Sequence, residues 1–111
     1  MSGGSPHEKQ VSHYDLEQVR RAFRDGDFVV TARVRSHLTD VGWNLDTVRT
    51  TACGLRECDL HKSQAHRERP GVWLDIYRPW HAGERLYVKL TPRQRGSGFV
   101  VLSFCRDGEN H

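Results

Sequence analysis

The sequence predicts an α+β domain, with N-terminal helices packed on one face of an antiparallel sheet, and three observations lead there. Apolar residues recur at helical spacing as far as Leu55 and alternate at strand spacing beyond it. The joins between the later segments are short, which makes an antiparallel meander their simplest arrangement. Helices first and strands later is the order of an α+β fold rather than of alternating βαβ units. At 111 residues the chain has room for one core and no second domain. The expected boundaries are a flexible N-terminus over 1–11, a single domain over 12–106 and a flexible C-terminus over 107–111.

The elements follow in order. Ser12 is a candidate cap for a first helix, with Asp15 and Glu17 in its first turn, an apolar stripe of Leu16, Val19, Ala22 and Phe23, and Gly26 as its stop. Thr31 caps a second helix in which Val34, His37, Leu38 and Val41 share a face and which ends at Gly42. Asn44 opens a third, with Leu45, Val48, Ala52 and Leu55 along its buried edge and Gly54 near its end. Candidate strands are Cys58 to Ala65, Val72 to Arg78, Arg85 to Thr91 and Phe99 to Cys105, punctuated by Arg69-Pro70-Gly71, Pro79 to Gly83 and Gly96-Ser97-Gly98.

Composition narrows the function classes. No apolar run approaches the roughly 20 residues that span a bilayer, and the first residues lack a signal-peptide apolar stretch, so the expected location is the cytoplasm and no membrane partner is expected. Three cysteines are too few for a disulfide scaffold. Seventeen Lys and Arg against fourteen Asp and Glu leave a net charge of +3, and most of the basic residues are arginine, the side chain that pairs bidentately with phosphate.

Alternation sorts the strand side chains into two faces. Val72, Leu74 and Ile76, with Leu86, Val88, Leu90, Val100, Leu102 and Phe104, form an aliphatic set expected to take the helices. Trp73, Asp75, Tyr77, Tyr87 and Lys89 form the other, a mixed aromatic and cationic platform of the kind on which single-stranded RNA bases stack while basic groups hold phosphates. Such residues also suit exposed strands for their shape alone. Cys53, Cys58, His61 and His66 have the residue types of a zinc site but not its spacing, and no metal or other cofactor is expected. No Walker loop, nucleophile elbow or His-Glu-x-x-His helix is present. Metal-free RNA cleavage needs a group to take the 2′-hydroxyl proton, cations for the phosphorane and an acid for the leaving oxygen. Lys62, Tyr87, Lys89, Arg78 and Arg106, with His61 and His81 near them in sequence, can supply all three.

The order of short matches along the chain adds a further reading. Pro6-His7, Thr31 with Arg33, Gly54-Leu55, Asp59-Leu60-His61-Lys62-Ser63, Trp73-Leu74-Asp75-Ile76-Tyr77-Arg78-Pro79, Tyr87-Val88-Lys89-Leu90-Thr91 and Val101-Leu102-Ser103-Phe104 together resemble the MqsR family of toxins from bacterial type II toxin-antitoxin systems. The resemblance implies a compact RelE-like bacterial toxin fold, ribosome-independent cleavage of mRNA, and inhibition by a cognate MqsA-like antitoxin protein. It also implies that Lys62 and Tyr87 are the functional lysine and tyrosine. Where the family carries a glutamine after the tryptophan this chain has Leu74, where it carries a lysine after the last Ser-Phe it has Cys105, and where a tyrosine commonly precedes the functional lysine it has His61. His61 then stands as a substitute acid or base, since its ordinary pKa of about 6.5 suits proton transfer near neutrality. The expected site is thus Lys62, Tyr87 and His61 for catalysis, with Arg78, Lys89, Arg106, Trp73 and Tyr77 on RNA. A second reading keeps the same fold as an RNA-binding or antitoxin-binding protein that does not cut.

Overall fold

The computed structural model describes residues 7–109; residues 1–6 and 110–111, part of the two ends expected to be flexible, lie outside the described residues. The order of elements is β1 (Glu8–Lys9), α1 (Leu16–Arg24), β2 (Phe28–Val30), α2 (Ala32–Val41), α3 (Leu45–Cys53), a single 3-10 turn (Glu57–Asp59), β3 (Leu60–Ala65), β4 (Trp73–Tyr77), β5 (Trp80–His81), β6 (Glu84–Pro92) and β7 (Phe99–Arg106). The α+β class holds: three helices pack against a seven-stranded, mostly antiparallel sheet. No helix among the described residues is long and apolar enough to cross a membrane.

Local chemistry explains the helices. Thr31 and Asn44 cap α2 and α3 as their sequence suggests, each side chain accepting a backbone N–H of the first turn, and Gly42 ends α2 in the left-handed conformation. In α1 the cap is Asp15 rather than Ser12, its carboxylate accepting from the Gln18 N–H. Ser12 is too far back because residues 12–14 are committed elsewhere. The backbone N–H groups of His13 and Tyr14 donate to the Asp75 carboxylate at 3.0–3.1 Å, and the Ser63 hydroxyl donates to it at 2.6 Å.

The sheet departs from a simple meander in two ways. Its order is β1-β3-β4-β6-β7-β2, with β5 pairing back onto β6. Phe28–Val30, between the first two helices, forms an edge strand running parallel to β7. Three residues are too few to show a period, so the sequence hid it. Within the stretch expected to be loose, Glu8 and Lys9 pair with Gln64 and Ser63 of β3. At the far edge Gly98 is needed where β7 meets β2: its φ is +87°, and a Cβ there would collide with the Asp27 carbonyl.

Register decides the faces, and it reverses the expected phase of β4. Asp75 pairs with Leu90 and Tyr77 with Val88, so Trp73, Asp75 and Tyr77 join Val88 and Leu90 on the helix side, where Tyr77 belongs to the main core with Phe23, Val48 and Phe104. Leu74 and Ile76 lie on the open face instead, Ile76 packing with Tyr87 and Cys105. Alternation separates the two sets but does not say which side each occupies. In β7 a bulge at Leu102 shifts the phase. Phe99 and Val101 precede it in the core in place of the expected Val100 and Leu102, while Phe104 follows it in the core as expected.

Two outcomes test this account. Asp75→Ala leaves three donors facing an apolar void, and denaturant unfolding should show a loss on the order of 3 kcal/mol; a loss below about 1 kcal/mol would mean the segment is not held there. The β5–β6 turn has positive φ at both Ala82 (50°) and Gly83 (81°), the geometry of a primed hairpin turn. Ala82→Gly should therefore raise stability by about 0.5–1 kcal/mol, the relief of left-handed strain exceeding the added chain entropy.

Candidate RNA-cleaving face

On the open face the ladder sets the side chains out in rows. Lys62 of β3 stands opposite Ile76 of β4, Ile76 opposite Lys89 of β6, and Lys89 opposite Ser103 of β7. One step along, Tyr87 is paired with Cys105. Two lysines thus flank an isoleucine floor with a tyrosine alongside. β3 carries an irregularity between Leu60 and Lys62 that leaves His61 as the extra residue. Such a bulge re-aims its side chain, and His61 lies within electrostatic reach of Lys62, Arg78, Glu8 and Asp107.

The electrostatics mark this face as unusual. Burial first, then the neighbouring Arg33 and Lys62, push the Lys89 ammonium below the ordinary lysine range. Burial, then Arg78 and Lys62, lower the His61 imidazole, so it is a neutral base near pH 7. Burial, then Cys105 and Asp107, raise the Tyr87 phenol, so it keeps its proton. The Lys89 ammonium lies 6.0 Å from the centre of the Tyr87 ring. Glu8 reaches across from β1 to Lys62 at 2.7 Å, and both side chains remain partly open to solvent.

Of the residues expected at the site, Lys62, Tyr87, His61 and Lys89 come together. Arg78 sits at the rim, its guanidinium gripping Asp107 at 2.6 and 3.0 Å. The other three are elsewhere. Tyr77 is fully buried under the helices. Trp73 is on the helix side, covered by the stacked His13 ring at 5.3 Å and the Lys9 ammonium at 4.3 Å. Arg106 is held by Glu84 at 2.7 Å and lies over the Trp43 ring, because its register opposite Leu86 points it to the helix side. His81 faces Thr51 of α3, on the helix side of the sheet. Among the described residues no three His, Cys, Asp or Glu side chains gather closely enough to hold a metal ion.

Sequence reasoning named Arg33 within a family match but did not place it at the site. It lies in the first turn of α2, whose cap at Thr31 was legible, but only the fold brings that helix start against Lys89 and Cys105. It also left open the arginines of the 64–69 connection; Arg67 lines a cavity of about 400 Å³ together with Gln64, Leu74 and Lys89. Leu74 faces this cavity, at the place where the resembled family carries its glutamine, and Gln64 is its partner across the ladder.

The family model described as "Motility quorum-sensing regulator, toxin of MqsA" matches residues 11–106. The chain is 29% identical over 84 residues to the mRNA interferase toxin MqsR of Escherichia coli (strain K12), an overlap covering 76% of this chain and 86% of that protein. With nearly the whole folded region matched, the chain belongs to the MqsR toxin family.

Proposed function

We propose that this chain is a ribosome-independent endoribonuclease that cuts single-stranded mRNA without a metal ion, arresting translation and growth in the cytoplasm until an MqsA-like antitoxin binds it. The observation that carries this reading is the convergence of Lys62, Lys89 and Arg33 on one open face. Like charges brought together over an apolar floor destabilise the folded chain, and a bound phosphate reverses the sign of that interaction. The family membership and the name of the E. coli relative support the same substrate class.

The chemistry follows from the arrangement. His61, neutral near pH 7, takes the proton from a ribose 2′-hydroxyl, and the 2′-oxygen attacks the adjoining phosphorus. Negative charge grows on the phosphoryl oxygens between Lys62 and Lys89, with Arg33 behind them, and fixed cations in a partly desolvated site stabilise it without reorganising. Tyr87 gives its proton to the leaving 5′-oxygen, and the products are a 2′,3′-cyclic phosphate and a 5′-hydroxyl end. Arg78, anchored by Asp107, holds the strand at the rim. The second reading, an RNA-binding or antitoxin-binding protein that does not cut, draws on Leu74 and Cys105 standing where the family has polar groups. It predicts RNA binding and no growth arrest on induction.

Purified protein should cleave a long single-stranded RNA in the presence of EDTA. Lys62→Ala should slow this by about 10²–10³-fold and Lys62→Ala with Tyr87→Ala should abolish it, whereas Arg106→Ala, on the other side of the sheet, changes it little. Undiminished cutting by the double variant would end the assignment. The rate should be full at pH 7 and fall only below the ordinary histidine value of about 6.5, because the imidazolium is disfavoured and the base must be unprotonated. His61→Ala should remove that acid limb from the profile; a limb that survives would place the base on another group.

A further inference from the structure

We infer that the cleft between α2 and the end of β7 is a nucleobase subsite that reads one nucleotide next to the cut; this rests on the ribonuclease reading above. The parallel pairing of β2 with β7 stops at Val30 opposite Val101, and the chain turns at Thr31 into α2, which packs along the remainder of β7. Within α2, Val34 and Leu38 go to the core. Arg33, Ser36, His37 and Asp40 recur at i, i+3, i+4 and i+7 and so share another side of the helix. A surface helix ordinarily gives its polar stripe to bulk water. Here Arg33, Ser36 and Asp40 of that stripe remain exposed and also wall a cleft of about 250 Å³ whose far side carries Ser103 and Glu109.

Two further observations describe the cleft wall and its place beside the reaction. The Nε2 of His37 is shut off from solvent without a hydrogen-bond partner, and the Glu109 carboxylate it faces is 3.8 Å away, beyond hydrogen-bond reach. Ser103 stands opposite Lys89 in the ladder, and Arg33 bears on both Lys89 and Cys105, so the cleft opens directly off the row that holds the phosphate. A strand with its phosphate between Lys62 and Lys89 therefore carries the base of an adjoining nucleotide to this opening. The Ser36 and Ser103 hydroxyls and the Asp40 carboxylate offer donors and acceptors to the edge of one planar base, with the His37 ring in the wall beside them, while Arg33 keeps the phosphate next to it. Only an unpaired nucleotide can turn its base into such a cleft, which restricts the substrate to single strands.

The test is a cleavage map on a long mRNA for the unaltered chain and for Ser36→Ala with Asp40→Asn, two exposed changes on α2. Preference at one position fixed relative to the cut should relax by about tenfold, the consequence of losing a paired polar contact, with preferences elsewhere kept. An identical map overturns the subsite. If the unaltered chain does not cut at all, the ribonuclease reading fails and the subsite is judged by binding. The His37 ring resonances should then shift on titration with short single-stranded oligoribonucleotides of defined sequence, and resonances that stay put with every sequence overturn it.

Discussion

The rest of the structure depends on where the Asp75 carboxylate goes. A charged group in the middle of a strand is costly to bury unless donors surround it, and here three do: two backbone N–H groups from residues 13 and 14 and the Ser63 hydroxyl. That requirement puts the odd positions of β4 on the helix side, beneath the segment that supplies the donors. Tyr77 follows into the core, Trp73 goes under His13 and Lys9, and Leu74 and Ile76 are left to floor the opposite face. The same bonds hold the chain entering α1, so the helix starts at Asp15, and the preceding residues lie along β3 with Glu8 beside Lys62.

The open face is consequently less aromatic and more cationic than an RNA-stacking platform. Its floor is aliphatic, its cations come from three separate elements, and its one phenol is kept protonated by burial. This suits a surface that stabilises charge developing on phosphorus better than one that merely stacks bases. Glu8 fits the same picture. Its carboxylate pairs with the Lys62 ammonium in the free chain, and because lysine has three donors it can share that ammonium with a phosphate oxygen.

Much of the fold was legible because its signals are local. Thr31 and Asn44 mark helix starts, Gly42 marks an end, and the change from helical to strand spacing after Leu55 separates the two halves of the domain. What failed has equally specific reasons. A three-residue parallel strand has no period to read, and a bulge at Leu102 shifts the alternation midway along β7. In β4 the two alternating sets were separated correctly but assigned to the wrong sides, since aliphatic residues were taken to seek the helices while Asp75 and Tyr77 had stronger claims on that side.

The candidate site divides along the same line. By itself the sequence determined the chemical inventory: a lysine, a histidine, a tyrosine and a second lysine on two strands, with residue types and order that resemble one toxin family. Only the tertiary structure decided which members of that inventory share a surface. It kept Lys62, His61, Tyr87 and Lys89, set aside Trp73, Tyr77 and Arg106, and added Arg33 from the start of a helix. The physical reason is that alternation and capping act within one segment, whereas the facing of a strand is settled by cross-strand register and by polar groups that need distant partners.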